Sequence, residues 1–303
     1  MSNTVVRIGG RYRLKQKIGS GSFGHRYFHH ARRCGQAGAV RSTYRTSSSL
    51  EHEVMVYKDL ANVLGLPRVH MFTAESGNDA LVMDLFGPSL EAIIASRQAG
   101  FNLSTASVLC QQMLMLLERI HNRGYIHRDI KPSNFLLGLG QQARHVFMID
   151  LGLASRCRNP ASNIHIPYHR GQELVGSARW ASANAHAGIQ QSRRDDLGSL
   201  AYILVYFIRG SLPWQTLTDD DSIFAKTKSC TPATLCHDLP AEVSAFVAYV
   251  QTLAFEAEPD YAYLRSLLQA VRVRERDRIA FSREIRQNGL APTSDDTAMD
   301  NGE

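Results

Sequence analysis

Two short polar clusters, each joined to an apolar run, constrain this chain more than any other feature. In the first, His127-Arg128-Asp129-Ile130-Lys131-Pro132-Ser133-Asn134 sets a carboxylate, an ammonium and an amide within six residues, and the apolar strand Phe135-Leu136-Leu137 follows. In the second, the apolar strand Val146-Phe147-Met148-Ile149 ends on Asp150, with Leu151-Gly152 beyond it. A charged loop matching the first pattern by chance, with the second at a set distance, is expected in under about one case in a hundred. Phosphoryl transfer needs a group to orient the attacking hydroxyl, a cation on the moving phosphate and oxygen ligands for magnesium. Asp129, Lys131 and Asn134 supply one of each, and Asp150 reads as the main magnesium ligand.

A third motif is weaker. Gly19-Ser20-Gly21-Ser22-Phe23-Gly24 spells GxGxxG at the end of a strand-like run from Arg13. Glycines let backbone N–H groups approach a phosphate closely. Dinucleotide folds use the same spacing, and so do plain Gly/Ser turns. A dinucleotide fold wants a helix next, whereas His25 onward reads as more strand or as irregular chain.

Periodicity divides the rest. Leu50 to Leu64 carries Val54, Tyr57 and Leu60 at helical spacing, and His70 to Leu85 alternates like a hairpin about Ser76-Gly77-Asn78-Asp79. Beyond Gly87-Pro88-Ser89 long helices are expected at Thr105–Arg123, Asp195–Ile208, Ala241–Leu253 and Asp260–Arg274. A strand-rich front and a helix-rich back, joined near Phe86, imply an α+β chain of two lobes with a cleft between them. Pro292 to Glu303 has almost nothing to bury and reads as a disordered tail.

Composition excludes several classes. The longest apolar run, Leu200–Ile208, is far short of the roughly 20 residues that cross a bilayer, and no secretory signal opens the chain. Five scattered cysteines without a CxxC pair argue against zinc and suggest free thiols, hence an intracellular protein of the cytoplasm, the nucleus or both. The net charge of +6 comes mainly from arginine, since only six of the 34 basic residues are lysine. These arginines are spread and not interleaved with aromatic residues, so neither nucleic acid nor a membrane is an expected partner.

Together the motifs resemble those of eukaryotic protein kinases, and among them the casein kinase 1 group. The resemblance is carried by Arg11–Gly24, Phe86–Glu91, Ile126–Gly140, His165–Ser182, Gln191–Tyr202, Gly210–Gln215 and Pro259–Arg265, and covers Arg11 to about Arg272. That group lacks the usual Ala-Pro-Glu after the activation segment, and here Ser177-Ala178-Arg179-Trp180-Ala181-Ser182 stands in its place. The resemblance implies a bilobal protein-kinase fold: a small β-rich N-lobe (11–86), a large helical C-lobe (87–284) and a disordered tail (285–303). It implies a monomeric serine/threonine kinase that moves the γ-phosphoryl of ATP, with Mg2+, to Ser or Thr of protein substrates, without activation-loop phosphorylation. Asp129 and Lys131 would then be catalytic, with Asn134 and Asp150 on the metal. The nucleotide would lie between Ile18, Gly19, Gly21, Ser22 and Gly24 above and Leu136 and Ile149 below. Asp84 and Phe86 would offer backbone groups to the adenine, with Met83 behind it. Asp196 would brace the 127–134 loop, and Arg179 would meet a substrate phosphate.

The resemblance stops after Gly24 and resumes at Leu50. The stretch between holds Arg26, Arg32, Arg33, Arg41 and Arg45, no acid, and little strand alternation. Counted without gaps, the family's Val-Ala-Ile-Lys falls on Gly38-Ala39-Val40-Arg41. Arginine thus replaces the lysine that grips the α- and β-phosphates, while its helix partner survives as Glu53; both are catalytic candidates. Arginine keeps the charge on a larger, planar fork. Arg26 stands where a β-branched residue would cover the adenine. Three accounts fit: a site rearranged around Lys15 or Lys17, a catalytically impaired pseudokinase serving as a binding or scaffold protein, or a reading-frame error. The intact Asp129, Lys131, Asn134 and Asp150 favour a catalytic lineage. Where the group carries a basic cluster, this chain has Asp219-Asp220-Asp221, which reads as a solvated loop and implies no strong preference for substrates already phosphorylated.

Overall fold

The computed structural model describes residues 7–8, 12–21, 24–31, 37–43, 48–75, 78–97 and 99–287. The front of the chain forms one antiparallel sheet from β1 (Arg7–Ile8), β2 (Tyr12–Gly21), β3 (Gly24–Ala31), β4 (Ala37–Thr43), β5 (Val69–Glu75) and β6 (Asn78–Asp84), in spatial order β1-β2-β3-β4-β6-β5. Helix α1 (Ser48–Asp59) interrupts it between β4 and β5 and buries Leu50, Val54 and Tyr57, the stripe its spacing predicts. The helix stops at Asp59, short of the expected Leu64, and the chain turns through Gly65. Gly65 has φ +93°, and a Cβ there would collide with the Leu116 side chain.

Of the two readings of the chain after His25, strand or irregular, the described residues show strand. β3 and β4 pair in continuous register from His25↔Ser42 to His30↔Ala37, and β4 pairs onward with β6 from Gly38↔Asp84 to Thr43↔Asp79. A strand bonded on both edges is held by its backbone groups, so side-chain alternation is a poor guide to it.

The larger part is helical: α2 (Leu90–Ala95), α3 (Leu103–His121), α4 (Ala183–His186), α5 (Arg193–Arg209), α6 (Asp220–Ser229), α7 (Pro232–Leu235), α8 (Ala241–Thr252) and α9 (Tyr261–Gln287). Asn102 caps α3, its Oδ1 accepting from the Thr105 N–H at 2.8 Å. Every residue of α5 from Ser199 to Phe207 is buried, which a helix apolar on all sides requires. α5 ends at Gly210, φ +79°, in the left-handed conformation that suits glycine past a helix end. Trp214 is fully buried edge-on to Tyr202, with ring centres 5.0 Å apart. No helix among the described residues is long and apolar enough to cross a membrane.

Two differences from the sequence reading concern this part. α9 runs beyond the expected Arg274 and past 284 to Gln287, with Tyr261, Leu264, Leu268 and Val271 on one buried stripe of its first half; residues 288–303 of the expected tail lie outside the described residues. Asp219–Asp221 are not a loop. Asp219 caps α6, accepting from the Ser222 N–H at 2.8 Å, and Asp220 and Asp221 occupy the first turn, where negative charge suits the helix dipole.

Candidate active site

Four short strands between α3 and α4 build the floor of the cleft. β7 (Tyr125–Ile126) pairs with β10 (Ser155–Arg156), and β8 (Phe135–Leu137) pairs with β9 (Val146–Met148) in the register Phe135↔Met148. The Ile149 N–H donates to the Asn134 carbonyl at 3.0 Å, so the two polar clusters of the sequence meet at one end of the β8–β9 pair. Asp150 is buried and left-handed (φ +70°, ψ +64°), a conformation few non-glycine residues adopt. Its N–H donates to the Tyr57 hydroxyl at 3.1 Å.

Asp129 is 5% exposed, and its carboxylate is surrounded by donors. Oδ2 accepts from Lys131 Nζ at 2.6 Å and more weakly from Asn134 Nδ2 at 3.3 Å. Oδ1 accepts from both the N–H (3.0 Å) and the hydroxyl (2.9 Å) of Ser177, and that hydroxyl also accepts from Lys131 Nζ at 2.9 Å. Sequence reasoning passed over Ser177, although it opens the Ser177–Ser182 run; a contact spanning 48 positions leaves no local pattern. Gly176 makes the approach possible: at φ +101°, any side chain there would strike the Arg128 carbonyl. Ser177→Ala removes one bond to Asp129 and one from Lys131, and is expected to lower kcat about tenfold. Steady-state kinetics on a peptide substrate check this, with the KM for ATP unchanged.

The loop rests on Asp196, at the start of α5. Its carboxylate accepts from the backbone N–H groups of His127 (2.8 Å) and Arg128 (2.9 Å) and meets His121 Nε2 at 2.9 Å. Burial pushes the Asp196 carboxyl up, but the His121 bond and charge and the His127 contacts outweigh it and hold it below the usual carboxylate value. His121 Nδ1 meets the Tyr261 hydroxyl at 2.6 Å, joining α9 to the same network. Arg128, left-handed at φ +67°, donates through Nε to the Leu153 carbonyl at 2.7 Å.

On the nucleotide side, β2 and β3 form the glycine hairpin, with Gly19↔Arg26 and Gly21↔Gly24 in register; Ile18 sits at a register shift between Lys17 and Gly19, and Ser22 lies outside the described residues. Arg41 stands in β4 opposite Leu81 of β6. Glu53 lies on α1, 1% exposed. Three ties fasten α1 to the cleft floor: His52 Nε2 to the Ala154 carbonyl at 2.7 Å, Tyr57 to Asp150, and Asp59, which accepts from the Tyr125 hydroxyl (2.6 Å) and Arg156 (2.5 Å). The Asp59 carboxyl is lowered chiefly by the Tyr125 bond, against a small effect of burial, and by Arg156.

Met83 is buried at the end of β6. Asp84 spends its N–H on the Arg68 carbonyl and its carboxylate on Arg68 N–H and His70, which leaves only its carbonyl for a ligand. The Phe86 N–H has no partner among the described residues, and its ring stacks on Phe147 at 4.3 Å. Ile149 is buried, and half-buried Leu136 pairs with Phe147. Arg179 lies in the 3-10 turn Ala178–Trp180; its carbonyl accepts from Trp214 Nε1, and its buried Nε has no partner among the described residues. Burial raises the nearby Glu91 carboxyl, and Arg179 moderates the shift.

The donor set fits a hard divalent cation. The Asn134 amide nitrogen is committed to the Asp129 carbonyl at 2.9 Å, which leaves its Oδ1 as the oxygen on offer to a cation. No group of three or more His, Cys, Asp or Glu among the described residues could hold a metal alone. A magnesium-like ion that takes one or two protein oxygens and completes its shell with phosphate and water asks for no such group.

The family model described as "Protein kinase domain" matches residues 12–270. That span takes in the sheet, the Asp129 loop, Asp150 and the helical core described above. The chain belongs to the protein kinase domain family, whose members move a phosphoryl group from ATP to proteins with the help of a divalent metal ion.

Proposed function

We propose that this chain is an active serine/threonine protein kinase of the casein kinase 1 type, working with Mg2+ and ATP as a monomer inside the cell. The observation that carries this reading is the Asp129 carboxylate, buried yet held in place by Lys131, Ser177 and Asn134, a short strand pair away from Asp150. In the free protein Asp129 and Lys131 satisfy each other at 2.6 Å. On binding, the acceptor hydroxyl takes the place of the ammonium and gives its proton to Asp129, and Lys131 turns to the γ-phosphoryl. Asp150 and Asn134 would hold the metal, which supplies positive charge to the phosphates when bound. The carbonyl of Asp84 and the N–H of Phe86 meet the adenine above the floor of Leu136 and Ile149, and the backbone of Gly19, Gly21 and Gly24 covers the phosphates.

A silent kinase-fold binding protein is the second reading, favoured by Arg41 and Arg26. The three ties on α1 speak for the first reading, because they hold the helix that carries Glu53 to the cleft floor. Phosphoamino-acid analysis of a casein-like protein treated with the full chain and Mg-ATP separates the readings. Phosphoserine and phosphothreonine without phosphotyrosine are expected. A chain that melts higher with Mg-ATP yet transfers nothing would be the silent protein.

A further inference from the structure

A second concave site lies away from the cleft. A cavity of about 470 Å3 opens between α3, the Leu64–Gly65 turn and the loop joining β8 to β9, and none of the candidate catalytic, nucleotide or metal residues lines it. Its walls are apolar, with Leu116, Val146 and Phe147 deep, and Leu64 and Met115 left 73% and 36% exposed. Large aliphatic side chains gathered in the open around a hollow mark a surface that binds something. The fixed charges of the rim are of one sign. Arg119 and Arg144 stand at the opening beside Gln112, Gln142 and His145, and no acidic side chain among the described residues lines it.

This rim is built rather than incidental. Both ends of the Gln112 amide are spent on the loop, Nε2 donating to the Arg144 carbonyl at 3.2 Å and Oε1 accepting from the Val146 N–H at 2.9 Å. The His145 N–H and carbonyl are likewise bonded, to Gln142 and Gly138. Arg119 is anchored by a 2.7 Å bond to the Leu64 carbonyl. A fixed rim loses little freedom on binding.

We propose that the cavity docks a segment of a partner protein in which aliphatic side chains alternate with Asp or Glu. The aliphatic groups fill the hollow, and the carboxylates meet Arg119, Arg144 and His145. A basic segment would leave Arg119 and Arg144 opposed by like charge. A nucleic-acid strand would lack a stacking platform, because the Phe147 ring is already stacked on Phe86. The proposal does not rest on phosphoryl transfer, since the site can be read by binding alone.

Fluorescence anisotropy on the full chain tests it, with a short labelled peptide of glutamates and leucines, a counterpart with lysine for glutamate, and one with serine for leucine. Only the first should bind, more weakly as salt rises, and equally well with saturating Mg-ATP. Arg144 is exposed, so Arg144→Glu keeps the fold, which its melting curve verifies; it should weaken binding about five- to tenfold. Met115→Asp should weaken it through the apolar wall. Equal binding of the lysine peptide, no effect of Arg144→Glu, displacement by Mg-ATP, or no binding at all would each overturn the proposal.

Discussion

Replacing Asp129 by Asn is expected to slow phosphoryl transfer about 10^2- to 10^4-fold, the range for loss of a positioned proton acceptor. The substitution preserves shape and removes charge. Whichever way the new amide turns, its NH2 faces a donor, either Lys131 or the Ser177 N–H, where a carboxylate oxygen accepted before. That mismatch costs about 1–3 kcal/mol of stability, which moves Tm by several degrees and leaves the protein folded at 25 °C. The rate loss thus far exceeds any loss of folded protein. Initial rates at saturating Mg-ATP, beside a melting curve for each protein, check this. A variant that keeps more than a tenth of the parent rate would show that Asp129 does not position the acceptor hydroxyl.

The second large effect is on stability. Asp196→Ala leaves two backbone N–H groups and His121 without their acceptor at a fully buried site, and is expected to cost about 3–5 kcal/mol. Urea unfolding should give a lower midpoint with an unchanged slope. Acidity gives an independent reading. The Asp196 carboxyl titrates below its ordinary 3.8 because the His121 and His127 contacts overcome burial. A depressed folded pKa means the contribution is complete above the unfolded value and is lost as pH falls through the folded one. Parent stability should therefore decline below about pH 4, and the Asp196→Ala variant should lack that share of the decline. Loosening the 127–134 loop should also reduce turnover.

The parts of this molecule that were legible from sequence are those where residue type alone carries the chemistry. Asp129, Lys131, Asn134 and Asp150 stand close along the chain, and the strands that join them are short and apolar. α3 and α8 were legible because helical periodicity survives burial, and α5 because its apolar run is longer than an ordinary strand. α2 was missed, since six residues show too little of any period. The acids at Asp219–Asp221 were misread because capping and solvation favour the same residues, and the helix behind them buries only Ile223 and Thr227. β3 and β4 carry little side-chain pattern, and only pairing on both edges reveals them. Ser177 and the cavity beside α3 depend on distant segments meeting, which one-dimensional spacing does not encode.

Arg41 concentrates the functional question. In β4 it stands opposite Leu81, and His52, Tyr57 and Asp59 hold α1 to the cleft floor. The account therefore expects the arginine to weaken the phosphate grip while the hydroxyl-orienting and metal-holding groups stay in place. The most direct measurement is incorporation of labelled γ-phosphoryl from Mg-ATP into a casein-like protein, with the parent chain and its Asp129→Asn variant side by side. The account predicts steady incorporation into serine and threonine by the parent and almost none by the variant. Equal incorporation by the two, or none by a parent chain that Mg-ATP demonstrably stabilises, would contradict it.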